Sequence, residues 1–212
     1  MKNNTIDSQS FFRTFNANHT NDSFDIYVDE KLFNTDLLYK DFSVYTPITE
    51  GKHIISLTLN GDSNIVTTRE IFIKSHKIYT LIISINTKNL LSNLYFIEDI
   101  RKKIPNNCSL VRIGNFCLQK ETLAFSFIDS TKSFKKVFST AVTHYVSFLE
   151  GNFKMCSWYS QTHEHFIEDT ELLFKPYRIY TIYIIGDGSC NYPFECVRSI
   201  DGSSFLSFIE SP

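Results

Sequence analysis

No apolar run in this chain of 212 residues approaches the ~20 residues that a membrane-crossing helix needs, so no membrane insertion is expected. An excess of one charge is also missing. Lys+Arg number 21 against 23 for Asp+Glu, a formal net charge of −2, which removes the basic footprint of a general nucleic-acid binder and excludes nucleic acid as a partner. Met1 to Ser10 has no apolar core of the kind a secretory signal carries, so the chain is expected to be cytoplasmic as synthesised. For the same reason, the sequons Asn18-His19-Thr20 and Asn21-Asp22-Ser23 do not imply glycosylation.

Cysteine is absent from the first half; Cys108, Cys117, Cys156, Cys190 and Cys196 all fall in the second. A disulfide common to both halves is thereby excluded. The odd count leaves at least one thiol free, or paired between chains in an oxidising setting. Free thiols in a reducing compartment are the plainer expectation, because Cys behaves as a small hydrophobe, and crosslinking between chains is the sharper one. Cys190 and Cys196 are near enough in sequence for a local disulfide or a crosslink.

What the chain does hold is 20 Phe and 11 Tyr beside a single Trp, with abundant Ile, Thr and Ser, a composition that suits pleated strands. It also repeats itself. Ser43 to Leu57, with Tyr45 and Glu50-Gly51, is echoed by Thr143 to Met155, with Tyr145 and Glu150-Gly151. Phe12-Arg13-Thr14-Phe15-Asn16 answers Val111-Arg112-Ile113-Gly114-Asn115, and Ile78-Tyr79-Thr80-Leu81 answers Ile179-Tyr180-Thr181-Ile182. The order is the same and the separation nearly constant (13 to 112, 45 to 145, 79 to 180), which points to a duplicated module.

Around Glu50-Gly51 the pattern predicts strand, tight turn, strand, a hairpin in its simplest form. His53, Ile55, Leu57 and Leu59 alternate with Lys52, Ile54, Ser56 and Thr58, which predicts a strand buried on one face. Further strands are expected at 12–15, 24–28, 65–73 and 78–85, and Phe24, Ile26 and Val28 should point inward as Leu123, Phe125 and Phe127 do. Short strands at regular spacing predict an all-β chain of two tandem immunoglobulin-like antiparallel β-sandwich domains. The expected boundaries are a polar tail at 1–10, a first module at 11–104 and a second at 105–212, with Arg101-Lys102-Lys103 in a solvated linker.

Candidate sites are few. His163-Glu164-His165 would put two imidazoles on one strand face, a metal-like spacing, but two ligands need a third and fourth from Cys156, Glu168, Asp169 or His144. Gly186-Asp187-Gly188-Ser189 follows a strand with no amphipathic helix after it, so it reads as a turn rather than an anion cradle. No Gly-x-Ser-x-Gly elbow is present, and no catalytic residue or cofactor is assigned. Tyr79 and Tyr180, on matched late strands, are expected to tie down a corner with the hydroxyl bonded to backbone. Trp158, with Tyr159 beside it, is a candidate interaction surface.

Arg13-Thr14-Phe15-Asn16-Ala17, Phe24-Asp25-Ile26-Tyr27-Val28-Asp29, Tyr45 with Glu50-Gly51, Ile78-Tyr79-Thr80 and the closing Asp99 resemble the tandem modules of the family called domain of unknown function 4397. The second module resembles them through Val111 to Asn115, Tyr145, Gly151, Ile179-Tyr180-Thr181 and Asp201-Gly202-Ser203-Ser204. The resemblance implies a bacterial protein of two immunoglobulin-like sandwiches with no assigned activity or catalytic residues, from a family many of whose members look secreted or attached to the cell wall. Assembly on a spore surface from inside the mother cell would reconcile that address with the missing signal segment.

The functional expectation is a non-enzymatic structural or interaction protein at a bacterial envelope or spore layer. It would meet a protein or glycan partner and could self-associate through edge strands or cysteines. The alternative is a soluble ligand- or metal-binding module that uses the second domain around His163, His165 and the loop near Cys190.

Overall fold

The computed structural model describes residues 9–20, 23–86, 91–100, 103–118, 122–128, 130–202 and 204–205. Most of the expected tail, the sequon residues Asn21 and Asp22, Arg101-Lys102 of the expected linker and Ser203 lie outside these, as does the side chain of Glu168. The chain divides into two compact units, Met1–Arg101 and Lys102–Pro212.

Among the described residues the first unit contains eight strands: β1 (Ser10–Asn16), β2 (Ser23–Val28), β3 (Lys31–Leu38), β4 (Thr46–Ile48), β5 (Gly51–Leu59), β6 (Ile65–Ile73), β7 (Ile78–Ile85) and β8 (Ser92–Asp99). They form two sheets, in the orders β4-β1-β7-β8 and β3-β2-β5-β6. Phe12, Tyr79, Leu81, Ile83 and Leu94 from one sheet meet Phe24, Ile26, Ile55, Leu57, Ile71 and Ile73 from the other in a single buried cluster. The period of two places these residues inward, and facing sheets remove them from water.

The second unit repeats this plan with β9 (Cys108–Asn115), β10 (Leu123–Phe127), β11 (Ser133–Val137), β12 (Ala141–Val142), β13 (Val146–Leu149), β14 (Gly151–Tyr159), β15 (His165–Phe174), β16 (Ile179–Ile185) and β17 (Glu195–Ile200). Its sheets run β12-β9-β16-β17, with β13 also on β9, and β11-β10-β14-β15. Its core is separate and richer in rings, with Phe127, Phe148, Phe153 and Phe174 in mutual contact. The all-β sandwich expectation holds, with one refinement. In each unit the first strand pairs in parallel with the seventh or its counterpart, β1 with β7 and β9 with β16.

The hairpin expected at Glu50-Gly51 is corrected. β4 pairs with β1 in one sheet, whereas β5 pairs with β2 and β6 in the other. The turn is therefore a corner at which the chain leaves one sheet for the facing one. The same holds at Glu150-Gly151, where β13 pairs with β9 and β14 with β10 and β15. Gly51 and Gly151 take φ values of 130° and 158°, where a side chain is rarely accommodated, so the need for glycine is real although the partner strand was misread.

The duplication extends to backbone detail. Positive-φ residues recur in matched places, Asp36 with Lys136, Lys40 with Thr140, and His76 with Tyr177. Ser43 Oγ accepts the Thr14 N–H at 2.8 Å, and Thr143 Oγ1 accepts the Ile113 N–H at 3.0 Å. Buried Asn16 donates to the Leu37 carbonyl, and buried Asn115 to that of Val137. Tyr79 accepts the Lys74 N–H at 3.2 Å and Tyr180 accepts the Lys175 N–H at 3.2 Å, the corner geometry expected of both.

Candidate functional site

Each unit carries a buried polar cluster on the face of its β1- or β9-containing sheet turned away from the core. In the first unit Arg13 Nε donates to Thr80 Oγ1 at 3.0 Å, and Thr80 donates in turn to Asp99 Oδ2 at 2.6 Å. Tyr45 OH donates to the same carboxylate oxygen at 2.6 Å. The Arg13 guanidinium lies 4.4 Å from the Tyr45 ring centre and 4.7 Å from that of Phe42, so it is held between aromatic faces.

In the second unit Arg112 Nε donates to Thr181 Oγ1 at 2.7 Å, and Thr181 to Asp201 Oδ2. Ser199 Oγ adds a bond to Asp201 Oδ1 at 2.7 Å, and Arg112 lies 4.6 Å from the Tyr145 ring centre. Arg13, Arg112, Asp99 and Asp201 are at most 2% exposed. A buried charge is tolerable only when paired and hydrogen-bonded: Arg13 stands opposite Thr80 and Arg112 opposite Thr181 in the parallel ladders, which supplies the hydrogen bond, and each threonine links its arginine to the countercharge, Asp99 or Asp201. These residues carry the repeat in the sequence. Their meeting was signalled only by a cation on an apolar strand, matched by an acid after the last strand of each module.

The sequence-derived candidates lie mainly along β14, β15 and the loop before β17. His163 begins the return of the β14–β15 hairpin, with φ of 61° and its N–H on the Tyr159 carbonyl at 3.0 Å, and His165 stands opposite Trp158. Among the described residues no group of three or more His, Cys, Asp and Glu comes together to hold an ion. Trp158 and Tyr159 are half-buried. Tyr159 packs inward, 5.5 Å from the Phe166 ring, whereas Trp158 shares the outer sheet face with Cys156 and Lys154 as the alternation predicts. On that face Lys154 Nζ is 2.9 Å from Asp169 Oδ2. The ion pair holds the Asp169 carboxyl below its ordinary range, and burial with the Asp169 contact raises the Cys156 thiol.

All five cysteines are free thiols. Cys190 is exposed, Cys196 is half-buried, and Thr170 Oγ1 lies 3.8 Å from the Cys196 sulfur. Burial pushes the Cys117 thiol up to about 12 and that of Cys196 to about 11, so both stay protonated at neutral pH. Asn18 is wholly buried, with its amide bonded to Thr20 and Ser92, so this sequon is closed in the folded chain.

Phe166 and Ile167 line two adjoining open hollows. One, of about 580 Å³, also touches His165 and Asp169. The other, of about 490 Å³, is bounded by Thr170, Gly188, Pro193, Phe194, Glu195 and Cys196. The structure thus brings His165 and the Gly186–Phe194 loop to one strip along β15.

Fold and sites together define an all-β protein of duplicated sandwiches stiffened by buried charge clusters. The profile of the family described as "Domain of unknown function (DUF4397)" matches residues 10–126, more than half of the chain, and the chain belongs to that family. The match takes in the first unit's strands and runs through most of β10 in the second. No curated protein matches the chain.

Proposed function

We propose that the chain is a non-catalytic structural or interaction protein, whose two sandwich units present strand edges and loops to a protein or glycan partner at a bacterial envelope or spore layer. The observation that carries the reading is the use of the buried ionisable groups. Arg13 with Asp99, and Arg112 with Asp201, are enclosed in the same way in both units and bonded through a threonine, which is what a scaffold needs and what an incoming substrate could not reach. Exposed apolar side chains add support. Leu32, Ile54 and Phe72 are each about half exposed or more on one outer sheet face of the first unit, a cost in water that contact with a partner would offset.

The second reading, a ligand-binding module in the second unit, is favoured by the strip that joins His165 to the Gly186–Phe194 loop. Its metal version has only two histidines behind it.

The test is fractionation of the tagged native protein through growth and sporulation, with non-reducing electrophoresis of each fraction. Enrichment in envelope or spore-layer fractions is expected. A cytosolic monomer at every stage would remove the assembly reading and leave the soluble binder.

A further inference from the structure

The chain contains a single Asn-Gly step, Asn60-Gly61, and it falls on the turn between β5 and β6. Asparagine is a thermolabile residue, and glycine is the follower that shields it least, since it has no side chain to obstruct its own backbone nitrogen. The fold leaves the step open. Both residues are exposed, and apart from its chain neighbours no heavy atom lies within 4 Å of the point where a side chain on Gly61 would begin. The Asp62 N–H closes the turn on the Leu59 carbonyl at 3.0 Å, whereas the Gly61 N–H donates to nothing among the described residues. Its nitrogen is free to act as a nucleophile. The Asn60 side chain has one tie among those residues, from Nδ2 to Asp36 Oδ1 at 2.8 Å.

The second unit supplies the comparison. The Asn60 N–H meets the Ser23 carbonyl at 3.2 Å and the Ser160 N–H meets that of Thr122 at 2.8 Å, so Ser160 stands where Asn60 does. Gln161 follows it in place of Gly61, and Lys136 matches Asp36. The amide, the glycine and the acid are all peculiar to the first unit.

We propose that Asn60 is a site of spontaneous modification, where water converts the side-chain amide to a carboxylate that drives the β5–β6 turn away from β3. The Gly61 nitrogen gives up its proton and attacks Asn60 Cγ. A C–N bond forms to close a cyclic imide, the Cγ–Nδ2 bond breaks, and the amide nitrogen takes up the proton and leaves as ammonia. One water then opens the imide and returns the Gly61 N–H. Opening at Cγ yields aspartate, and opening at the Asn60 backbone carbonyl yields isoaspartate. The sum is one water consumed and one ammonia released, with no oxidant or reductant.

Either product is an anion where a donor had been. Asp36 Oδ1 also accepts the Ser23 hydroxyl at 2.6 Å, and the Asp36 N–H is held by Asp25 Oδ1 at 2.9 Å, so the new charge enters a group that is already acidic. A modification that sets a carboxylate against another disrupts by like-charge repulsion. The inference goes beyond the structural reading and does not depend on what the chain binds.

The experiment ages the full chain in warm, mildly alkaline buffer and follows the tryptic peptide from His53 to Arg69, which carries both Asn60 and Asn64. A gain of about 1 Da at position 60, partly as isoaspartate, is expected about tenfold or more faster than at Asn64, whose follower is the β-branched Ile65. Gly61→Ala crowds the nucleophile and Asn60→Gln lengthens the side chain, and each should slow the change at its site by a similar factor. If Gly61→Ala does not fold, Asn60→Gln decides. Asn60→Asp carries the product charge from the outset. Its hydrogen exchange should quicken over β2 and β3 while the second unit keeps the parent's rates.

Conversion at Asn60 no faster than at Asn64, or an undiminished rate in Asn60→Gln, overturns the site. Unchanged exchange over β2 and β3 in Asn60→Asp overturns the consequence drawn from Asp36. Neither readout reports on location, so failure here leaves the fractionation outcome standing, and the reverse.

Discussion

The Tyr183 ring lies 3.0 Å from the point where a side chain on Gly114 would begin. In the first unit the same ladder pair is Phe15 opposite Ile82, and in the second it is Gly114 opposite Tyr183. The large ring has moved from one strand to its neighbour. Phe15 stacks on Phe42 at 4.1 Å, whereas Tyr183 leans toward Phe116 at 6.1 Å. Gly114→Ala should therefore cost about 1–3 kcal/mol by overpacking. Tyr183→Ile should recover most of that loss, so that the two changes are strongly non-additive in denaturant melts. Additive effects would show that the two sites do not share one volume.

The corner tyrosines offer a test of equivalence. Tyr79→Phe and Tyr180→Phe each remove the acceptor of one backbone N–H, at Lys74 and at Lys175. Each should lower the stability of its own unit by about 1 kcal/mol. Monitored by hydrogen exchange, the first should act within Met1–Arg101 and the second within Lys102–Pro212. An effect on one unit alone from both variants would break the equivalence.

Much of this was legible in the sequence because a duplicated chain states each constraint twice. The alternation of His53, Ile55 and Leu57 fixed the buried face of β5, and the matched tyrosines fixed the corners. The Glu-Gly turn was legible as a turn and illegible as a corner. Period-two alternation marks which face of a strand is buried, but not which strand lies beside it, and β4 and β5 part into different sheets with no local sign. The link from Arg13 through Thr80 to Asp99 was hidden for a similar reason, since it runs across the parallel β1–β7 ladder and the antiparallel β7–β8 ladder. The contact of Phe194 with Phe166, 5.2 Å between ring centres, depends on the path of one loop, which no periodicity encodes.

Breaking either charge cluster should be severe. Asp201→Ala leaves Arg112 buried with its countercharge gone and removes the acceptor of Thr181 and Ser199. A loss of about 3–5 kcal/mol is expected in equilibrium unfolding, as for a buried pair deprived of one partner. A loss below ~1 kcal/mol would mean that the arginine finds water on this face.

Asp29 gives the acid limb of stability a residue-specific origin. The Ile54 N–H, at 2.9 Å, and His53, with Nδ1 at 2.6 Å, hold its carboxyl below the ordinary value of 3.8. A depressed folded pKa means that the unfolded chain takes up the proton first as pH falls. The stabilisation is complete above the unfolded value and is lost as pH drops through the folded one. With the carboxylate 48% exposed, solvent screens much of the effect. Asp29→Asn should thus lower the urea midpoint modestly at pH 7, and the gap from the parent should close on acidification below pH ~4. A gap that persists unchanged to low pH would assign the loss to geometry rather than charge.

Four of the five thiols should separate by kinetics in one experiment. Cys190 sits at the tip of the Gly186–Phe194 loop and is exposed, whereas Cys117 is 1% exposed and protonated through burial. Since the thiolate is the attacking species, access and ionisation act together against Cys117. N-ethylmaleimide at pH 8, followed by peptide mass spectrometry, should label Cys190 first, Cys156 and Cys196 more slowly, and Cys117 only on the timescale of unfolding. The same order sets what an oxidising compartment could do: a link between chains would form through Cys190, and Cys190→Ser should remove any multimer that collapses on reduction. Native labelling of Cys117 as fast as that of Cys190 would mean that the second unit opens readily, and the loop could then claim no privileged place in crosslinking.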